Sequence, residues 1–195
     1  MWKPWHLRSY YIMNPDHKTY ERYGNFIINR SESLGTGSYG YVWKGYLIGP
    51  NQVLEPVAIK EFYNDKNNFN EIQTLQILNH PNIVKYIDYK NSGTSVFMVM
   101  ELCEGGTLDD LLQSLDILET DRLINLYSQV VRGIKFMYEK KILHRDIKPS
   151  NLLVKKNTIK IADFGTSKMN MSNELKTLVG TPLFFSPELF SVKEG

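Results

Sequence analysis

The sequence predicts an α+β chain in two parts, a strand-rich first half carrying one helix and a helix-rich second half. Three observations carry that reading. Short β-branched and aromatic runs, Phe26-Ile27-Ile28, Tyr41-Val42-Trp43 and Val57-Ala58-Ile59, are separated by turn-rich stretches at Gly35–Gly40 and Gly49-Pro50-Asn51. Phe69, Ile72, Leu75 and Leu78 recur every third residue, putting one apolar stripe on a helix that Asn79 and His80-Pro81 end. From about Thr120 to Lys140, Leu123, Tyr127, Val130, Ile134 and Met137 fall on one helical face.

Taken in order, residues 1–25 are rich in aromatics and turn formers without a clear period, and read as an extension. Two further strands are expected over Ile83–Tyr89 and Ser95–Leu102. After Glu104-Gly105-Gly106 the character turns helical, with Thr107 as N-cap and Asp109 and Asp110 in the first turn, where the helix dipole favours acids. The change near 103–106 marks a boundary, giving an extension (1–25), a first lobe (26–102) and a second (103–195).

Composition limits the classes. A chain of 195 residues buries about 70% of its unfolded surface, enough for a core without staples. The apolar (42%) and charged (23%) fractions are those of a globular protein, which argues against a mostly disordered chain. A net charge of +2 is too balanced for a protein that grips nucleic acid electrostatically. No apolar run approaches a membrane span, and the first residues lack the apolar segment of a secretory signal. Cys103, the single cysteine, has no internal disulfide partner, which fits a reducing compartment, the cytoplasm or nucleus.

Leu34-Gly35-Thr36-Gly37-Ser38-Tyr39-Gly40-Tyr41-Val42 contains G-x-G-x-x-G. A dinucleotide fold needs a helix straight after such a loop. Here Tyr41-Val42-Trp43 favours a second strand, so the segment reads either as a plain hairpin turn or as a flap whose bare amides approach phosphates. Lys60 closes the strand Val57-Ala58-Ile59-Lys60, and alternation gives it the same face as Ala58. Glu71, early in the predicted helix, could supply the counter-charge that a buried ammonium requires; two solvated surface charges are the other reading.

His144-Arg145-Asp146-Ile147-Lys148-Pro149-Ser150-Asn151 is a dense polar run ahead of Leu152-Leu153-Val154. A turn at Lys156-Asn157 pairs Val154 with Ile159 and Leu152 with Ile161, and so returns Asp163 to within about a residue of Asn151. A carboxylate and an amide oxygen there suit a hard cation such as Mg2+. Asp146 could accept a proton from a hydroxyl nucleophile, and Lys148 could neutralise charge on a transferred phosphoryl group.

In these motifs the chain resembles the eukaryotic-type protein kinases over about residues 26–190. The resemblance rests on Gly35-x-Gly37-x-x-Gly40-x-Val42, Val57-Ala58-Ile59-Lys60, Glu71, His144-Arg145-Asp146 with Asn151, Asp163-Phe164-Gly165, and Ser186-Pro187-Glu188 in place of Ala-Pro-Glu. It implies a bilobal fold with an antiparallel sheet and one helix above a mostly helical lobe, cut short here. It implies ATP and Mg2+ as cofactors, with ATP between the lobes under the glycine loop. Lys60 would hold the α- and β-phosphates and pair with Glu71. Asp146 would be the catalytic base, and Asn151 and Asp163 would bind the metal. Val42, Ala58 and Leu153 would sandwich adenine, Met100 would be the gatekeeper, and Glu101-Leu102-Cys103 the hinge.

The resemblance also implies Ser/Thr specificity, from Asp146-Ile147-Lys148-Pro149 and Gly180-Thr181-Pro182, with Thr181 helping to position catalytic groups. Arg145 would receive a phosphate on Thr177, placed by an upstream kinase or by the chain itself and ordering residues 166–185. Two departures stand out: the Lys60–Glu71 interval is short, and the chain stops at Gly195 where family members continue through several helices. Apolar surface beneath the 120–140 helix is then left without cover from this chain. An active protein kinase acting on protein substrates and a truncated, non-catalytic module that binds nucleotide or a partner are the two functions to be separated.

Overall fold

Tyr23 stacks on Phe26 (5.9 Å between centroids) and lies 4.3 Å from Phe97, so the aromatic end of the predicted extension is part of a core. It belongs to β1 (Tyr20–Tyr23), which turns at Gly24, in the left-handed region at φ 64°, into β2 (Phe26–Gly37). The sheet therefore begins inside residues 1–25, where closely spaced aromatics gave no alternation to read. The computed structural model describes residues 19–37, 40–63, 66–114 and 120–169.

β3 (Gly40–Ile48), β4 (Leu54–Tyr63), β5 (Tyr86–Asn91) and β6 (Ser95–Glu101) complete the sheet. Among the described residues its strands run β1-β2-β3-β4-β6-β5, and every adjacent pair is antiparallel. Phe26, Ile28, Val57, Ile59, Phe97 and Val99 form a cluster at 0–2% exposure, with Trp43 and Leu47 packed on it. Val57 and Ile59 of β4 thus feed this core, and Ala58 and Lys60 fall on the opposite face by strand alternation. Arg30 crosses the sheet: it bonds Glu21 (2.7 Å) and Glu61, lies over the Trp43 ring (5.1 Å), and Trp43 Nε1 donates to Glu61 (2.9 Å).

The chain divides into two units, one holding residues 1–65 and 86–102, the other residues 66–85 and 103–195. The second contains α1 (Lys66–Ile77), which the sequence reading assigned to the first lobe; Ile72, Leu75 and Leu78 are buried as its stripe predicts. Ile83 and Val84 also belong here. The predicted strand Ile83–Tyr89 starts instead at Tyr86, because Ile83 bridges to Ile161, Val84 donates to the Ile161 carbonyl (2.9 Å), and both side chains are buried.

α2 (Leu108–Gln113) opens on Thr107 with a capping box, Asp110 N–H donating to Thr107 Oγ1 and Thr107 N–H to Asp110 Oδ2, worth about 1 kcal/mol. α3 (Thr120–Glu139) buries Leu126, Gln129, Val130, Gly133 and Met137. Of the predicted face, Val130 and Met137 are core, whereas Leu123, Tyr127 and Ile134 are 42%, 71% and 39% exposed. The helix is rotated toward its glycine, since a Cβ on Gly133 would stand 2.6 Å from Ile161 Cδ1. That close approach, and a glutamine satisfied by backbone, are invisible to a count of apolar residues.

β7 (Ile142–Leu143) pairs with β10 (Lys168–Met169), and β8 (Leu152–Lys155) with β9 (Thr158–Ile161). The second pair takes the expected register, Leu152 opposite Ile161 and Val154 opposite Ile159. Each of the segments 144–151 and 162–167 is held at both ends by strands paired to the other.

Candidate functional site

In the first unit, Val42 stands opposite Lys60 and Lys60 opposite Met98, while Ala58 is paired with Met100. Directly opposed residues share a face, so Val42, Ala58, Lys60 and Met100 line one side of the sheet. Lys60, at 5% exposure, is among its few buried charged side chains. Glu101 ends β6, and Cys103, half-buried, follows in the second unit.

The glycine segment belongs to two paired strands, with Gly35 opposite Val42, Thr36 opposite Tyr41 and Gly37 opposite Gly40. The expected second strand is present. Leu34, Gly35 and Thr36 are exposed, and Ser38 lies outside the described residues. The glycines differ in what requires them. Gly40 has φ 152°, and a Cβ there would stand 2.0 Å from the Glu61 carbonyl oxygen. A Cβ on Gly35 would meet nothing within 4 Å, so the fold does not demand a glycine at that position.

In the second unit the side-by-side segments are cross-linked by short bonds. Thr166 Oγ1 donates to the His144 carbonyl (3.0 Å), Arg145 Nε to the Thr166 carbonyl (2.6 Å), and Ala162 N–H to the Asn151 carbonyl (2.9 Å). Arg145 (φ 70°) and Asp163 (φ 60°) are both left-handed, a conformation costing a non-glycine residue roughly 1–2 kcal/mol that these bonds offset.

Asp146 is the centre of the arrangement. Its Oδ2 accepts from Asn151 Nδ2 (3.0 Å) and lies 2.9 Å from Lys148 Nζ. Asn151, 7% exposed, donates also to the Asp146 carbonyl (2.8 Å). His144, 2% exposed, sits edge-on to Phe164 (4.7 Å); its Nε2 donates to the Ala162 carbonyl (2.9 Å), and its Nδ1 accepts from Asp146 N–H (3.3 Å). Burial holds this imidazole below the usual histidine range.

With both amide hydrogens of Asn151 committed to Asp146, the atom it offers a ligand is Oδ1. The bond from Ala162 to Asn151 leaves Asp163 one residue beyond that pairing. Among the described residues, no group of three or more His, Cys, Asp or Glu side chains is placed to hold a metal. One carboxylate and one amide oxygen fit Mg2+, which binds through one or two carboxylates and completes its shell with water and substrate phosphate.

Glu71 is buried (3%) on α1, and Leu153 is half-buried in β8, bridged to Thr107. The fold brings Asp146, Lys148 and Asn151 together, and puts Asp163 beside Asn151 in the backbone. Thr177 and Thr181 lie outside the described residues. Sequence reasoning passed over Gln129. Its Oε1 accepts from Ile159 N–H (2.8 Å) and Asn82 Nδ2 (3.1 Å), and its Nε2 donates to the Asn157 carbonyl (3.0 Å) and Asn125 Oδ1 (2.8 Å). A glutamine next to Val130 and one turn from Leu126, on an otherwise apolar stripe, was the available signal.

Comparison with known proteins identifies the class of domain to which the antiparallel sheet and the paired polar segments belong. The protein kinase domain model matches residues 28–194, and the chain belongs to the protein kinase family. It is similar to the serine/threonine-protein kinase atg1 of Dictyostelium discoideum, at 35% identity over 191 residues, 89% of this chain and 28% of the relative. Serine/threonine-protein kinase dst1 of the same organism is 36% identical, over 84% of this chain and 23% of its own length. Human serine/threonine-protein kinase ULK1 is 32% identical, over 91% and 18% respectively. The chain thus spans less than a third of each of these relatives. No helix among the described residues is long and apolar enough to cross a membrane.

Proposed function

We propose that this chain is a cytoplasmic, ATP- and Mg2+-dependent kinase that transfers the γ-phosphate of ATP to serine or threonine hydroxyls of protein substrates. The observation that carries the reading is the Asp146 carboxylate, held by Asn151 Nδ2 and flanked by Lys148 Nζ at 2.9 Å. In the proposed reaction Asp146 accepts the hydroxyl proton as the new O–P bond forms and the bond to the β-phosphate oxygen breaks, releasing ADP. Lys148 offsets charge that builds on the transferred group. Asn151 and Asp163 would hold Mg2+, which supplies neutralisation of phosphate charge.

Lys60 is assigned to the α- and β-phosphates, with Glu71 as negative counter-charge. Leu34–Gly40 would cover the phosphates with backbone amides. Val42, Ala58, Met100 and Leu153 would contact the adenine, and the backbone of Glu101 and Cys103 its edge. Thr181 is assigned a positioning role, and Thr177 accepts the phosphate of an upstream kinase or of the chain itself. The strand-rich lobe in this reading runs to Leu102, and the helical lobe starts at Cys103.

Phosphotransfer from ATP to a generic Ser/Thr peptide tests the proposal, with Asp146→Asn as control. Mg2+-dependent turnover abolished by Asp146→Asn is the expected result. Nucleotide-dependent thermal stabilisation without turnover points to a non-catalytic binding module, and absence of both rejects the proposal.

A further inference from the structure

Thr74 is buried in α1 at 1% exposure, a site where water cannot replace a lost partner. Its hydroxyl has one proton, donated to the Asn70 carbonyl one turn back (2.7 Å). Its oxygen therefore faces its other neighbour as an acceptor, and the donor is Ser167 Oγ at 3.3 Å. Ser167 follows the 3-10 turn Phe164–Thr166, against which α1 packs, and Ser167 N–H donates to the Phe164 carbonyl (2.9 Å). Thr166, next to it, is tied to His144 and Arg145. The side chain of Ser167 is thus a polar link from the Asp163 turn to α1.

Thr74 lies three residues after Glu71, on the same helical face, and Glu71 is buried as well. Rotation of α1 about its axis would break the hydroxyl contact and move Glu71 together. Apolar packing of Ile72 and Leu75 resists separation of the helix from the turn but tolerates small rotations, whereas a directional bond selects one.

We infer that the Ser167–Thr74 hydroxyl pair is the positioning contact that fixes the rotation of α1, and hence of Glu71, relative to the turn carrying Asp163. The inference rests on the kinase reading, in which both carboxylates serve the same nucleotide.

The test measures MgATP affinity of the full chain by calorimetry. Ser167→Ala and Thr74→Val each weaken it about three- to tenfold, the range expected for one hydroxyl bond. The double variant is no weaker than either single one, because the two changes remove the same contact. Thr74→Ser, which keeps the hydroxyl and loses a methyl, binds as the parent chain does. If affinity instead follows side-chain volume, with Thr74→Val unaffected and Thr74→Ser weakened, packing sets the helix and the inference is wrong. Lys60→Met separates the two levels: if it abolishes binding while Ser167→Ala leaves it unchanged, the positioning contact falls and the kinase reading stands. A parent chain that binds no MgATP overturns both.

Discussion

Asn151 donates both amide hydrogens to Asp146, one to its carbonyl at 2.8 Å and one to its carboxylate at 3.0 Å. One side chain therefore fixes the backbone and the acidic group of the same residue, five positions earlier in the chain. This pair of hydrogen bonds holds the carboxylate in one orientation, as the proposed proton transfer requires.

Replacing Asn151 with Ala removes both donors. A buried acceptor left unsatisfied costs about 1–3 kcal/mol, so the thermal midpoint falls. Phosphotransfer should fall about 100-fold or more, because Asp146 loses its orientation. Asn151→Asp keeps an oxygen for a cation but sets a second carboxylate against Asp146, and should lose turnover while retaining more of its Mg2+ response than Asn151→Ala. Mg2+ titrations of turnover compare the two; equal responses would show that Asn151 offers no oxygen to the metal.

The two glycines at the ends of the loop should separate fold from function. Gly40→Ala places a Cβ 2.0 Å from the Glu61 carbonyl oxygen, and should destabilise the chain by about 2 kcal/mol or more. Gly35→Ala meets nothing within 4 Å, and its stability should stay within about 0.5 kcal/mol of the parent. If backbone at Gly35 approaches a phosphate, the same substitution weakens MgATP binding. Thermal melts with and without nucleotide read both effects, and a Gly35→Ala chain with unaltered nucleotide response would remove that glycine from the site.

What was legible in the sequence was whatever local chemistry determines. The β8–β9 register followed from a turn at Lys156-Asn157, the Thr107 cap from side-chain reach, and the glycine hairpin from the β-forming residues after Gly40. What escaped depends on distant neighbours. The apolar stripe of α3 pointed to one inward face through Leu123, Tyr127, Val130, Ile134 and Met137, and Ile161 against Gly133 turns the helix so that Leu123, Tyr127 and Ile134 are exposed instead. Ile83 and Val84 have strand-forming side chains but are bonded singly along β9, so that strand began at Tyr86. Residues 20–23 became a strand through Tyr23 on Phe97, a contact across more than seventy residues.

Gln129 shows what a non-local polar group contributes. All four of its hydrogen-bonding capacities are used, joining α3 to the β8–β9 hairpin and to Asn82. Gln129→Leu keeps the volume and strands the buried Ile159 N–H, whereas the carbonyl of exposed Asn157 can turn to water. For one buried group a loss of about 1–3 kcal/mol is expected in denaturant unfolding. A loss below about 1 kcal/mol would mean that water or a rearranged partner replaces the glutamine.

His144 makes the chain's stability depend on pH with a defined sign. Burial is the main influence on its imidazole and lowers the pKa from 6.5, opposed in part by the bond to the Ala162 carbonyl. The folded state therefore holds the ring neutral, with its proton on Nε2. Above the unfolded value this contribution to stability is fully present. As pH falls below about 6.5 the unfolded chain takes up a proton that the folded chain refuses, so stability drops by up to about 1.4 kcal/mol per pH unit until the lowered folded pKa is passed. His144→Asn is less stable at neutral pH but lacks this slope. His80, whose pKa burial also lowers, is present in both chains, so the difference between their profiles isolates His144. Unfolding at pH 7.5, 6.5 and 5.5 measures it; parallel profiles would show that the ring is protonated equally in the folded and unfolded chain.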